Sequence, residues 1–468
     1  MLPGLYEGLQ HYLSQGLRSF HTPGHKGNRE FFLGMRFPEG DLTELPGLDM
    51  LHSPTGIIAW SQARAAEIYG AQASFFLVNG GTVGNQAMFL ALGQAQGEVI
   101  VERQAHRSVM SALVLTGLTP RYLPATIHPE FNLPLGLDLK HTATCLGNAL
   151  AWHFTYPSYY GSLIDLTQIL GIRERDFPGL PVFVDQAHGA HYLHDLFPPG
   201  ALAMGADAVL QSPHKTLSAL TQAGMLHVQG QRLARHSLQQ ALELLQSSSP
   251  SYLLMASLER ALEFAQDRKR WAGLEEEVAR LHRDTEGLRL LNREDEGRYG
   301  IWRVDWSKIL VNTSSLGISA PECVEWLRRD EGIEPELWDG DNILFMLGIG
   351  NTAEDVRSLN QALQRLRDGH KGSVRRKRKW PRLELPPQPP LRRTPREVFF
   401  GRKRRSTLRD SLGQVAAESI SPYPPGIPII VMGEVITPEV LETLQNSGVQ
   451  WQGWEGYADQ WIWVLDEG

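Results

Sequence analysis

Between residues 71 and 230 the chain alternates short apolar runs with stretches of helical spacing. SFFLVNG (74–80), EVIVE (98–102), AWHFTYP (151–157), PVFVDQAHG (181–189), ADAVLQS (206–212) and AGMLHVQG (223–230) read as buried strands, each ending in residues with polar chemistry. Near-continuous apolar strands separated by helical stretches predict an α/β fold with a mostly parallel central sheet and helices on both faces. Ligands of such sheets gather at the carboxyl ends of the strands. SLERALEFAQDRKRWAGLEEEVARLHRDTEGL, beginning near residue 257, has apolar residues at helical spacing with charges between them and predicts helix leading out of the large domain. A second, smaller α/β region follows from about 300 to 366 and contains GIWRVDWSKILVNT and NILFMLGIG.

The pattern breaks over 367–409, where RRKRKW, PPQPP and GRKRRS set two basic runs around a proline cluster. An exposed, partly extended linker is the favoured reading. A nucleic-acid or anionic-surface patch is the alternative, disfavoured by a net charge of −7 and sparse interleaving of aromatic residues. Beyond it, SPYPPGIPIIVMGEVIT (421–437) resumes strand-like content. The expected organisation is an N-terminal arm (1–50), a large domain (51–285), a small α/β region (286–366), the linker (367–409) and a C-terminal domain (410–468).

Composition narrows the class. At 468 residues, 42% hydrophobic and 21% charged, the chain is long enough for two or three domains and has the balance of a globular protein. The two cysteines, Cys145 and Cys323, are far apart and lack metal-ligand spacing, which fits a reducing compartment and predicts no metal site. No secretory leader and no apolar stretch of membrane-spanning length is apparent, so the expectation is a cytoplasmic protein without a membrane partner.

The chemistry centres on Lys215 in QSPHKTLSALTQAG (211–224), directly after a predicted strand. A lysine amine at a sheet rim, beside an electrophilic carbonyl, can lose its proton and form a Schiff base. Alone, such a lysine is ordinarily a surface residue. Asp185 ends the apolar run of VFVDQAHGAH, where burial is costly unless a cation or donor meets the carboxylate; a helix or turn cap is the plainer alternative. A pyridinium nitrogen is such a cation. In LVNGGTVGNQ (77–86) a strand runs through glycines into a helix start near Thr82, where free backbone N–H groups suit a phosphate. Ser212 and His214 could donate to the same phosphate, and the ring of His106 could stack on a flat cofactor. Each of these has a bland explanation as a turn or core residue; together they fall on one edge of one predicted sheet and supply the different parts one cofactor needs.

These residues resemble the pyridoxal-phosphate-dependent ornithine, lysine and arginine decarboxylases of the aspartate-aminotransferase fold type I, specifically the shorter bacterial members. The resemblance rests on SPHK with the small residues and TQ after it, and on FHTPGHKGN (20–28), DLTELPGLDMLHSPTGII (41–58), LVNGGTVGN, TYPSYYG (155–161), VDQAHGAH, SPSYLLMASLERA (249–261), GIEPELWDGDNILF (332–345) and YPPGIPIIVMGE (423–434), in family order. It implies pyridoxal 5'-phosphate as cofactor, Lys215 as the Schiff-base lysine and Asp185 as partner of the ring nitrogen. It also implies that Gly81, Thr82, Ser212 and His214 hold the phosphate, that His106 and Ala187 lie on opposite ring faces, and that His188 lies near the ring hydroxyl or the substrate. His106 and His188 are the alternatives to Lys215 as proton donor.

The implied substrate is a basic amino acid, arginine ahead of lysine and ornithine, decarboxylated for polyamine synthesis; the rivals are another reaction on the same cofactor, by an aminotransferase or lyase, and a non-catalytic binding protein, against which Lys215 and Asp185 argue. A cationic side chain requires an acidic or carbonyl-lined pocket. Asp49, Glu418 and Glu434 are candidates, supplied by the same chain or by a partner subunit, with surface or structural carboxylates as the plainer alternative; His21 and His25 are contacts if FHTPGHKGN is an arm reaching a dimer face, and a local turn at Pro23 and Gly24 is the alternative. A homodimer or homotetramer with active sites at the subunit interface is expected. The chain departs from the family pattern at Gly81, where a hydroxyl residue is expected, and at Gln186, Gly224 and Leu210.

Overall fold

The computed structural model describes residues 5–35, 37, 39–93, 96–370, 385–422, 426–445 and 451–467. Seven strands form the central sheet: β1 (Ala73–Leu77), β2 (Glu98–Glu102), β3 (Thr119–Leu123), β4 (Trp152–Thr155), β5 (Val182–Asp185), β6 (Ala208–Gln211) and β7 (Gly224–Val228). Their spatial order is β1-β7-β6-β5-β4-β2-β3. Pairing is parallel from β6 through β3, while β7 runs antiparallel to both β6 and β1. Two successive reversals restore direction, so β1, β2, β4, β5 and β6 all deliver their carboxyl ends to one edge.

Strands β5, β6 and β7 are buried at every position, which is why they stand out in the sequence as unbroken apolar runs. The border strand β3, TPRYL, escapes that reading. It carries Pro120 and Arg121, and a proline without a donor is tolerated where only one neighbour has to be paired. The helical stretch expected from residue 257 is two helices, Tyr252–Ala265 and Arg268–Asp284. The Asp267 carboxylate accepts from Arg270 N at 3.2 Å and starts the second as its cap.

The smaller sheet has the order Arg289–Leu290, Lys308–Asn312, Asn342–Met346, Leu337–Trp338 and is antiparallel throughout. The N-terminal strand Arg18–Phe20 pairs in parallel with Ile333–Pro335 beside it. The following residues therefore come back onto their own chain: Gly24 N donates to His214 O at 2.7 Å, and Gly350 N to Gly24 O at 2.9 Å.

Two expectations are corrected beyond residue 390. Part of the supposed linker is folded: Pro395–Phe400 is a helix, and Lys403–Thr407 pairs antiparallel with Trp461–Leu465. Lys403, Arg404 and Arg405 are exposed on that strand, and Arg405 lies 4.3 Å from the ring centre of Trp461. The basic run is thus the exposed part of a strand in which Ser406 is the buried position. RRKRKW lies outside the described residues. Among the described residues of 421–437 the regular strand is limited to Ser421–Pro422, and apolar residues in and beside this stretch make isolated bridges, Ile420 to Ile430 and Val415 to Val435. Ile429, Ile430 and Ile436 are nonetheless buried in a separate apolar cluster, so the hydrophobic signal was a packing signal rather than a strand signal.

Candidate active site

Residues 212–216 leave β6 and turn at once into the short helix Pro213–Thr216, which carries Lys215 to the common edge. Lys215 Nζ lies 2.9 Å from His188 Nε2, on the loop that leaves β5. Burial pulls the Lys215 amine below the ordinary lysine range; Asp185 and Glu336 oppose that, and Lys308 adds to it. The His188 ring is held well below the ordinary histidine range by burial, then by Lys215, Lys308, His106 and His214. A neutral imidazole facing an amine of weakened basicity can pass one proton back and forth across that contact.

Asp185 ends β5 with 4% of its surface exposed. One carboxylate oxygen accepts from Ala187 N at 3.0 Å and the other from Asn85 Nδ2 at 2.8 Å. Asn85 sits on the helix Gly80–Leu90, also donates to Ser108 Oγ at 2.8 Å, and lies 3.1 Å from His153 Nε2 through its Oδ1. Ser108 Oγ in turn lies 2.8 Å from His106 Nδ1. A continuous polar chain therefore joins His106 to Asp185 and fixes both. Asn85, Ser108 and His153 escaped the sequence reading, although a buried asparagine one turn beyond Gly81 on an otherwise apolar helix is a usable signal.

The glycine turn is built as a cradle. A Cβ on Gly81 would stand 2.8 Å from Ser212 Oγ and 3.3 Å from Leu210 Cδ2, and one on Gly84 would stand 2.5 Å from Leu210 Cδ1. Two of the departures thereby become a matched pair: the larger Leu210 fills the volume that a side chain at 81 would occupy. The Gly224 departure belongs to the same corner, since a Cβ there would reach Gln211 O at 3.3 Å and Gly81 N at 3.4 Å. Gln186 has a local task, accepting from Ala201 N and donating to Gly189 O, each at 2.8 Å. His214 is 2.8 Å from Ala223 O through Nδ1, and burial lowers its pKa to about 4.

Together these features fit pyridoxal phosphate. A helix start and Ser212 flank the side-chain-free face of Gly81 for a phosphate; Asp185 is an ordered buried carboxylate for a ring nitrogen; Lys215 is an amine on the same edge. His106 caps the helix Arg107–Thr116 beside them, and Ala187 is buried.

The other candidates divide. His21 is 2.6 Å from Thr22 O and 3.0 Å from Tyr12 OH, and His25 accepts from Gly27 N at 3.0 Å while burial lowers its pKa to about 4. Both belong to a segment docked on its own chain's Lys215 helix through the Gly24 N bond to His214 O. Asp49 works as a start for the helix Ile57–Tyr69. Burial opposes its ionisation, but backbone donors of Thr55, Met50, Gly56 and Ala59 bring its pKa to about 2. Glu434 is fully buried and pairs with Arg103, its Oε2 2.9 Å from Nη2, an ion pair tying the C-terminal part to β2's exit. Glu418 accepts from Trp463 N at 3.0 Å within the C-terminal part. Within the described chain the hydrogen-bond partners of these three carboxylates are backbone amides and Arg103. The carboxylate the sequence reading missed is Glu336, which accepts from Tyr159 OH at 2.6 Å and Thr22 N at 2.7 Å and whose charge acts on both Lys215 and Lys26.

The family model for the Orn/Lys/Arg decarboxylase major domain matches residues 3–295, and that for the C-terminal domain matches 389–451. The chain is 33% identical over 492 residues to an arginine decarboxylase of Bacillus subtilis, covering 99% of this chain and 98% of that protein. Among solved structures, the Francisella novicida lysine decarboxylase superposes with a TM-score of 0.77 at 18% identity, covering 99% of this chain and 83% of that one. The aspartate aminotransferase of Thermus thermophilus gives 0.52 at 14% identity, over 71% of this chain and 98% of that one. The fold is that of the fold type I pyridoxal-phosphate enzymes.

Proposed function

The chain belongs to the Orn/Lys/Arg decarboxylase family, and from that premise we propose that Lys215, Asp185 and His188 carry its reaction, with arginine as substrate. It is a pyridoxal-phosphate-dependent decarboxylase of a basic amino acid. The observation that carries the assignment of residues is the meeting of Lys215, Asp185 and the Gly81 turn at one edge of the sheet. Pyridoxal phosphate, when bound, supplies an electron-poor ring that takes up the electron pair of the bond to the departing carboxylate.

The chain's own residues do the rest. Asp185, pinned by Asn85 and Ala187 N, keeps a negative charge at a fixed place in a dry site, where it holds a protonated ring nitrogen most strongly. Burial makes the Lys215 amine easier to deprotonate, and His188 at 2.9 Å receives or returns that proton, including the one delivered to the substrate's α-carbon. Gly81, Thr82, Ser212 and His214 take the phosphate, and His106 and Ala187 the two ring faces.

Glu336 is the best-supported anchor for a cationic side chain, because its described hydrogen-bond donors are neutral and its charge reaches Lys215. A charge-assisted contact of this kind contributes about 1.5–3 kcal/mol. Glu336→Gln is therefore expected to raise KM for the basic amino acid roughly 10- to 100-fold with a smaller change in kcat. Steady-state kinetics alongside the thermal midpoint checks this; an unchanged KM removes Glu336 from the substrate pocket.

Arginine is favoured by the relatives that carry that name. The amine released would feed polyamine synthesis. A homodimer or homotetramer with shared active sites is supported by the exposed apolar residues Leu33, Phe37, Leu45, Met50, Ile57 and Trp60, between 49% and 68% exposed in the single chain. A cytoplasmic setting is supported by the free cysteines Cys145 and Cys323; among the described residues no helix is long and apolar enough to cross a membrane. The decisive assay incubates the cofactor-loaded protein separately with arginine, lysine and ornithine. Carbon dioxide with the matching amine, fastest from arginine, is expected; amino-group exchange without carbon dioxide overturns the reading.

A further inference from the structure

Lys308 is a fully buried cation that the reaction above does not use. It stands on Lys308–Asn312 of the smaller sheet, and its Nζ reaches His188 O at 3.4 Å, Asp305 Oδ2 at 3.3 Å and Ser307 Oγ at 3.4 Å. Its stem runs across Gly161: a Cβ there would stand 2.6 Å from Lys308 Cβ and 2.7 Å from Cγ. Asp305 has no exposed surface. It receives Ser307 N and Oγ at 2.9 and 2.7 Å and Tyr192 OH at 3.0 Å, and lies 3.3 Å from His191 Nε2. Burial works against its ionisation, but Lys308, His191 and Ser307 together hold it well below the usual carboxylate range. His191 and His188 share the loop that leaves β5, so the Lys308–Asp305 pair grips that loop at two points three residues apart. The Tyr159 ring packs edge-on to His188, its centre 4.9 Å away, from the same turn that ends at Gly161.

We propose that Lys308 is a positioning residue for His188: through Asp305, His191 and the His188 carbonyl it fixes the loop and holds the imidazole turned toward Lys215. This rests on the decarboxylase reading for His188's task but goes beyond it. The groups facing His188 are Lys215 and His214 from the helix after β6, His106 from the start of Arg107–Thr116, Tyr159 from the turn after β4, and Lys308 from the small sheet. With so many cations and histidines around it, removing one positive charge must raise the pKa of His188 and of Lys215.

The test compares wild type, Lys308→Met and the double variant Asp305→Asn/Lys308→Met as cofactor-loaded proteins. The single variant leaves Asp305 buried without its cation and lowers the thermal midpoint; the double variant, with both charges gone, regains most of it. In the single variant the pH midpoint of the bound cofactor's visible absorption should move up by about one unit, with the acid limb of kcat/KM following it; in the double variant, where a negative charge leaves with the positive one, the shift should be smaller. Wild-type pH midpoints in the single variant would reduce Lys308 to a core filler, and a double variant that does not fold would equally overturn the proposal. The absorption titration needs only Lys215 and the cofactor. Failure of wild type to release carbon dioxide would therefore count against the decarboxylase reading and leave the Lys308 comparison readable.

Discussion

Lys215→Ala is expected to lower turnover by at least about 10³-fold, because one side chain is asked both to hold the cofactor covalently and to move a proton. Its Nζ is the group 2.9 Å from His188 Nε2, and alanine leaves that imidazole facing empty volume. The neighbours do not depend on it for folding: Thr216 and Leu217 beside it are buried in their own right, and Gly24 N bonds to the His214 carbonyl rather than to the lysine. The thermal midpoint of the cofactor-free protein should accordingly stay within a few degrees of wild type, as is usual for changes that create no unpaired buried charge. Turnover and calorimetry on one preparation check both halves, and retained activity in the alanine variant removes Lys215 from the mechanism.

The second large effect is expected from Asp185→Asn, about 10²- to 10³-fold in turnover, the range found when one preorganised electrostatic group is removed from a closed site. The substitution keeps the shape and can keep the bond from Ala187 N, but it puts an NH2 group where Asn85 Nδ2 now donates. Two donors then face each other. Asn85 can turn its amide, but only by giving up the 3.1 Å contact with His153 and the 2.8 Å bond to Ser108 Oγ. Loss of charge and loss of the network thus act together on cofactor affinity and turnover, whereas removal of a buried charge leaves folding little changed. A thermal midpoint that falls in proportion to activity would instead mark Asp185 as a structural residue.

The centre of the site was legible because fully buried parallel strands announce themselves as apolar runs and their ends are where chemistry has to sit. Lys215, Asp185 and the Gly81 turn were found in that way. Asn85 and Ser108 were not, because their task is to link groups that are far apart in sequence, Asn85 to Asp185 spanning 100 positions. Glu336 looked like any carboxylate in a loop until the fold brought Thr22 and Tyr159 to it. Asp49, Glu418 and Glu434 were chosen from the family-like blocks for their charge, and charge does not say whether backbone amides or an arginine such as Arg103 have already claimed the carboxylate. The basic run at 402–405 failed for the opposite reason: a strand with one buried position, Ser406, has almost no hydrophobic pattern to read.

The central claim is that the amine of Lys215, rather than that of Lys26 or Lys308, is the one that meets the cofactor. Reduction of the cofactor-loaded protein with borohydride, followed by proteolysis and mass spectrometry, tests it directly. The account predicts a pyridoxyl-phosphate mass on the peptide containing Lys215; the same mass on Lys26 or Lys308, or on no lysine at all, would contradict it.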